Sequence, residues 1–442
     1  MPPSHMMLSC LLGAALLAPV PVGAADGPPA GGARAATGAA GARPADGRPV
    51  DYRGLHLTVP ADWRVVDLDR NPDACLRLDL PTLYLGHAGT QGDCGAARAV
   101  APRADTLHLE PLEGAPPRAD IPTVGADEGE PLPKVRGDSN EIRYTLRRAG
   151  VMATVSYGAT PETVRGVLGR ARTLTPPTRP APAEPAVAPG PGPRAAAQGP
   201  YTGEGFDACT APTQKAMNTW KEDSPFGAIG IYIGGRARAC AQPQLTAGWV
   251  TRQAAAGWHL MPIWVGPQPW NSSSTGLSTD PSEATDQGTA AADGAAQAAA
   301  ALGLAEGTVL YNDLENYTDR ATWDGPVVAY LTAWTVRLHE LGYRGAAYVS
   351  ASSGAKALSA HYAQAPDAMP DVLWVARWNG SASVTDADLG LPAGTKQWAG
   401  ARRAHQFRGD HDATYGDVTI NIDRNWVDVD PAAMKKARPH LS

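Results

Sequence analysis

Two hydrophobic rhythms divide the chain. Over residues 50–174 apolar and polar positions alternate in short runs. Leu55-His56-Leu57-Thr58-Val59, Leu76-Arg77-Leu78-Asp79-Leu80 and Thr106-Leu107-His108-Leu109 each turn one face of a strand toward a core. Residues 141–146 and 151–157 predict a hairpin about Arg148-Ala149-Gly150, and 161–174 a short closing helix. From Tyr201 onward the apolar runs become nearly continuous and alternate with helical patterns. Strands are expected at 205–209, 228–235, 258–266, 308–316, 345–350, 372–378, 404–408 and 419–425. The clearest helix, 326–342, repeats Val327, Leu331, Trp334, Leu338 and Leu341 on one face, opened by Asp324-Gly325-Pro326 and closed by Gly342. An Ala-rich stretch at 286–303 suits a helix packed closely on a sheet. Alternation of this kind predicts a parallel sheet, and eight units predict its closure. The expected fold is therefore α/β: a (β/α)8 TIM-like barrel at 201–432, preceded by a small β-rich α+β domain at 50–174. An open doubly-wound sheet is the alternative, weakened because no Gly-x-Gly-x-x-Gly turn follows the first strand.

The ends of the chain and its middle read differently. Residues 1–24 have the apolar core and the Val22-Gly23-Ala24 cleavage pattern of an export signal, though the stretch before the apolar core carries His5 and no Lys or Arg. Residues 25–49 form an aperiodic leader, and 175–200 a Pro/Ala spacer with an extended backbone. The formal net charge of −6 provides no basic field, so nucleic acid is not an expected partner. No later stretch is apolar enough to span a membrane. With the signal removed, Cys75, Cys94, Cys209 and Cys240 remain. In an exported chain these suggest two disulfides, most simply Cys75 with Cys94 and Cys209 with Cys240; reduced structural thiols are the alternative. Metal-ligand spacing is missing, and no metal or cofactor is expected.

The chemistry is sought at the carboxyl ends of the barrel strands, where catalytic groups of parallel barrels lie. Three expected strands carry an acid late in an otherwise apolar run: Asp207, the pair Asp313 and Glu315, and Asp423. Asp313 and Glu315 lie two residues apart, so a strand shows both on one face, with Tyr311 below. At about 5 Å and an effective dielectric of about 20 their repulsion is roughly 3 kcal/mol, so one should keep its proton to higher pH. Glycoside hydrolysis uses such a split, one acid protonating the leaving oxygen while the other carboxylate stabilises. The plainer reading of an Asp-x-Glu is a helix cap or a salt bridge. Tyr311, Trp264, Tyr348, Arg377, Trp378 and Gln406 fall on late strand positions and are expected to line a sugar pocket. No Gly-x-Ser-x-Gly elbow or His-Glu-x-x-His motif offers another route, and His405 and His411 read as surface or pocket residues.

At these residues the barrel resembles the glycoside-hydrolase-like domain of secreted mycobacterial and Streptomyces-type proteins, and is more distantly similar to the family 25 lysozymes. The matching pieces are Gly205-Phe206-Asp207, Asp313-Leu314-Glu315, Leu373-Trp374-Val375-Ala376, His405-Gln406-Phe407 and Asp423-Arg424-Asn425. The resemblance implies a hydrolase of cell-wall glycan, peptidoglycan above all, with Glu315 as general acid. Asp313 would orient the substrate acetamido group, and Asp207 and Asp423 would complete the acidic floor. One departure is the second strand, which lacks the Lys-Ala pattern of the lysozymes. A carbohydrate partner and a secreted, cell-wall-associated location follow; the sequence sets no oligomeric state. The competing expectation is a non-catalytic glycan-binding protein on the same barrel.

Overall fold

The computed structural model describes residues 47–96, 99–126, 132–133, 139–173, 198–270 and 276–434. The export signal, nearly all of the leader and most of the spacer lie outside them. The first region contains β1 (Gly47–Tyr52), β2 (Leu55–Pro60), β3 (Arg64–Asp67), β4 (Thr82–Leu85), β5 (Thr106–Pro111), β6 (Thr123–Ala126), β7 (Glu141–Leu146), β8 (Val151–Ser156), α1 (Glu162–Gly169) and β9 (Arg172–Thr173). A three-stranded sheet runs β1-β2-β9, and a six-stranded sheet runs β3-β4-β5-β8-β7-β6. Gly47 to Pro49, expected in the leader, belong to β1 because they pair with Pro60 to Thr58 of β2. Leu55, Leu57, Val59, Leu107, Leu109, Ile142 and Val155 fill one core, with α1 closing it through Val164, Val167 and Leu168. At 55–59 and 106–109 the alternation read from the sequence is that core face; Leu76 to Leu80 forms no strand, only a bridge from Arg77 to Cys240, and Leu80 is exposed.

The second region is a closed eight-stranded barrel. Its strands are β10 (Tyr201–Asp207), β11 (Ala228–Gly234), β12 (His259–Val265), β13 (Val309–Leu314), β14 (Arg344–Ser350), β15 (Val372–Ala376), β16 (Arg402–Tyr415) and β17 (Val418–Val429). Helices α2 (Gln214–Asp223), α3 (Ala247–Ala255), α4 (Pro281–Ala301), α5 (Arg320–Glu340) and α6 (Gly354–His361) connect the first six. The barrel is mixed. β10 to β16 run parallel, while β17 is antiparallel to both β16 and β10. The expected (β/α)8 alternation therefore ends early: β15 reaches β16 without an α-helix, and β16 turns straight into β17 at Gly416-Asp417, Gly416 having φ 56°. A two-residue turn leaves no length for a crossover, so the strands must pair antiparallel. Helix α5 also begins earlier than its Pro suggests. Asp319 caps it, accepting from the Thr322 amide at 3.1 Å, and Pro326 lies inside the helix.

Side-chain parity sorts the barrel into two layers. Phe206, Ile229, Ile231, Leu260, Leu310, Val349 and Leu373 pack outward with Trp220, Trp249, Leu331 and Trp334 from the helices. Tyr232, Ile263, Val265, Tyr311, Ala346, Trp374 and Ala404 form a second cluster from the alternate strand positions, the barrel interior. Burial on both faces explains the unbroken apolar runs.

The two regions are joined along the β11–α3 segment. The Leu78 and Ala101 amides donate to the Ala239 and Ala237 carbonyls, and the Ala239 and Ala241 amides to the Ala99 and Leu76 carbonyls. Residues 237–241 thus run as an extra strand between two stretches of the first region. Disulfides Cys75–Cys94 and Cys209–Cys240 pin the two sides, and the Arg77 guanidinium lies 3.2 Å from Cys240 Sγ. Among the described residues no helix is long and apolar enough to cross a membrane.

Candidate functional site

Asp207 ends β10 and pairs in register with Asp423 on β17. Asp423 reaches this end of the barrel because its strand runs backward, not because it lies late on a parallel strand. Gln406 on β16 joins the two acids. Its Nε2 donates to Asp207 Oδ1 at 3.3 Å and to Asp423 Oδ2 at 3.1 Å. Its Oε1 accepts from the Tyr348 hydroxyl and from Trp378 Nε1, each at 3.0 Å. Both donors and both lone pairs of the amide are used, which fixes its orientation. Asp207 also accepts from Asn425 Nδ2 at 2.7 Å and from the Tyr232 hydroxyl at 3.2 Å. Asp423 Oδ1 accepts the Asp410 amide at 2.6 Å. That amide is aimed by a bulge in β16, where Asp410 adopts φ 46°.

Asp313 sits beside Tyr348 in register on β14, and Glu315 follows just past the strand. Gln268 holds this corner: its Nε2 donates to the Asp313 carbonyl and its Oε1 accepts the Glu315 amide, both at 2.8 Å. Asp207, Asp313 and Asp423 are 1%, 2% and 4% exposed, while Glu315 is only partly buried. Asp313 Oδ1 has no hydrogen-bond partner. None of the four acids forms an ion pair with Lys, Arg or His among the described residues.

Burial without a cation disfavours every charge here. It raises Asp207 to about 6 against the donors from Asn425, Gln406 and Tyr232. It raises Asp423 to about 8, with the Asp207 charge adding to it. Asp313 is held well above the carboxylate range by burial and then by the Glu315 charge. Glu315 is raised by burial, partly offset by the Asn316 amide. Both members of the Asp313–Glu315 pair are thus raised above their ordinary values, so the pair keeps a proton to higher pH than an ordinary carboxylate. Burial and the surrounding acids likewise keep the Tyr232 and Tyr348 phenols neutral donors. The arrangement can hold, share and release protons.

The residues expected in a sugar pocket divide. Tyr348 and Gln406 are in the network, and Tyr311 stands below it, buried, its hydroxyl unpartnered and its ring edge-on to Trp374 at 5.5 Å. Trp378 is 57% exposed beside Gln406, its ring held over Gly409, where an added Cβ would come within 1.9 Å of it. Trp264 is not in the pocket: its parity turns it to the helix-side cluster, with Leu260. Arg377 also departs from expectation. Its guanidinium donates to the Ala387 carbonyl, tying down its own loop. His405 is fully buried, its two ring nitrogens each 2.8 Å from the carbonyls of Ser383 and Arg377. Tyr232, Asn425 and Gln268 are additional members. Tyr232 carried a signal: in Ile229-Gly230-Ile231-Tyr232-Ile233 it is the one polar tip on the face opposite the isoleucines.

Residues 218–427 match the family model of the Rv2525c-like, glycoside hydrolase-like domain. Similar solved structures include an uncharacterized B. stearothermophilus protein, at 19% identity and TM-score 0.37, covering 51% of this chain and 95% of that one. The Mycobacterium tuberculosis Tat-secreted protein Rv2525c, in complex with L-tartrate, aligns at 15% identity and TM-score 0.37, covering 51% of this chain and 96% of its own. The catalytic domain of endolysin ply40 from bacteriophage P40 of Listeria monocytogenes aligns at 13% and TM-score 0.32, covering 51% and 93%. No curated protein matches the chain.

Proposed function

We propose that this glycoside hydrolase-like domain hydrolyses cell-wall glycan outside the cell, with peptidoglycan as the substrate class, on a (β/α)8-derived barrel. The observation that carries the reading is the convergence of four carboxyl groups at the ends of three strands, with no cation paired to them among the described residues. An isolated structural acid is buried against a cation; these are buried against amides, hydroxyls and each other. Glu315 is the member nearest solvent, so it is the general acid that meets the leaving oxygen. Asp313 lies deeper on the same strand face, where burial and the Glu315 charge favour its protonated form. Its free oxygen is suited to accept the N–H of a substrate acetamido group. Asp207 and Asp423, clamped by Gln406, form the floor that keeps that proton in the site. Trp378 offers an exposed ring at the rim on which a sugar face can stack. The two disulfides support an oxidising, extracellular location.

The test is release of reducing ends from purified peptidoglycan. Wild type releases them. Glu315→Gln loses about three orders of magnitude in rate while still sedimenting with the polymer. No release by wild type from any wall glycan, with binding retained, would leave a glycan-binding protein on this barrel instead.

A further inference from the structure

The first region reaches the candidate site through one buried chain of contacts. Arg238, on the β11–α3 segment, is fully buried. Its Nη1 donates to the Tyr232 carbonyl at 3.0 Å, and its Nη2 pairs with Glu141 of β7. Glu141 is itself buried and lies 3.6 Å from Arg103 Nη1. Arg103 crosses in the other direction, donating from Nη2 to the Gly235 carbonyl at 2.9 Å and from Nη1 to Ser156 Oγ at 2.8 Å. Ser139 Oγ accepts the Gly235 amide at 3.3 Å. Three of these contacts land at the end of β11, on the Tyr232 carbonyl and on the carbonyl and amide of Gly235. That end is irregular: the register shifts between Tyr232 and Gly234, and Gly235 has φ 105° with Val265 O 2.0 Å from where a Cβ would stand. Beyond Gly230 this strand end is laddered on the β12 side alone, and across a bulge, so outside contacts help to fix its position. Tyr232, on that end, donates to Asp207. Gly230 leaves the room for it, since a Cβ there would meet Asp207 Cβ at 2.6 Å.

We propose that Tyr232 is a positioning residue for the acid network and that Glu141 of the first region, acting through Arg238, sets its place against Asp207. The inference rests on the hydrolase reading for its consequence in catalysis, but not for its physical content. One guanidinium spans the interface, one end on the acid of the first region and the other on the backbone of the residue that donates to Asp207. Loss of the Glu141 charge frees Arg238 from its partner and lets the β11 end drift. The Tyr232 hydroxyl then leaves Asp207, and the carboxylate loses one of its three side-chain donors. Fewer donors to the charged form make Asp207 take a proton at higher pH. The groups facing Asp207 are Asp423 from β17, Asp313 and Glu315 from β13, Tyr232 from β11 and the Gln406 and Asn425 amides. Those facing Glu141 are Arg238, Arg103 and, at longer range, Arg118.

The test follows the Asp207 carboxyl carbon by NMR in the full chain, with 13C-labelled aspartate and Asp207→Asn for assignment. The wild-type midpoint is expected near the value of about 6 set by burial. Tyr232→Phe is expected to raise it by about 0.5 to 1 pH unit. Glu141→Gln, and the milder Arg238→Lys, raise it less. Glu141→Gln adds nothing on the Tyr232→Phe background, because both act through one hydroxyl. Where glycan hydrolysis is measurable, the acid limb of kcat moves the same way and KM does not. A folded Arg238→Lys or Glu141→Gln protein with an unmoved midpoint, or full additivity in the double variant, overturns the proposal. Absence of hydrolysis in wild type defeats the functional reading alone, since the midpoints still decide this one.

Discussion

The molecule buries carboxyl groups in two ways, one on each side of the interface. In the first region Glu110 lies against Arg143 and His87, and Asp120 is gripped by both arms of Arg118. Burial opposes these charges, yet the His87 hydrogen bond and nearby cations hold Glu110 below its ordinary value, and Arg118 does the same for Asp120. In the barrel Asp207, Asp313 and Asp423 are buried as deeply and Glu315 partly, with amides and hydroxyls where the guanidiniums would be, and all four are raised. Burial alone therefore does not decide what an acid does. A guanidinium makes it a permanent anion that fastens structure; neutral donors leave it able to gain and lose a proton near neutral pH.

The largest effect that tests this contrast is on stability. Asp120→Asn strands the Arg118 charge in the interface and should cost about 3–5 kcal/mol in urea unfolding. Asp313→Asn should cost under about 1 kcal/mol, since a neutral amide replaces a carboxyl that burial already holds neutral. Equal losses would erase the distinction between the two sets.

Next in size is a pH slope. Asp207 and Asp423 have folded values above those of the unfolded chain, so the folded state binds more protons between about pH 4 and pH 8. Stability is accordingly greatest below pH 4 as far as these groups are concerned and is lost as pH rises through about 6 and then about 8. For Asp207 the change from 3.8 to about 6 corresponds to about 3 kcal/mol. Asp423→Asn should flatten the upper part of that slope in thermal melts; an unchanged slope would mean the group is ionised throughout. The smallest effect is at the rim. Trp378→Ala should raise KM for soluble glycan fragments about fivefold, by loss of roughly 1 kcal/mol of stacking, with kcat and the melting temperature little changed. A fall in kcat instead would place the ring closer to the reacting bond.

How much of this was legible differs by element. Strands β11 to β15 could be located because burial on both faces makes each a largely apolar run, whereas β10, β16 and β17 mix polar and apolar positions. The same burial hid parity: His259–Val265 is apolar on both sides, so nothing in it showed that Trp264 turns outward while Val265 faces the interior. The acids were visible because a carboxylate late in an apolar strand contradicts its surroundings. Asp423 was found on a mistaken strand direction. The correcting signal was present in Gly416-Asp417 between two β-rich runs, the mark of a two-residue hairpin. Tyr232, Asn425 and Gln268 escaped because uncharged hydrogen-bonding side chains on a strand or loop do not announce themselves. The joining of the first region to residues 237–241 rests on main-chain pairing, which no side-chain pattern encodes.

The contrast between the two sets of acids is most directly tested by a carboxyl NMR titration of the intact protein from pH 3 to pH 9. Asp120 and Glu110 should remain ionised to below the ordinary carboxylate range, while Asp207 and Asp423 titrate near 6 and 8. If the barrel acids instead titrate together with those of the interface, below about pH 4, the site holds no exchangeable proton near neutrality and cannot act as described.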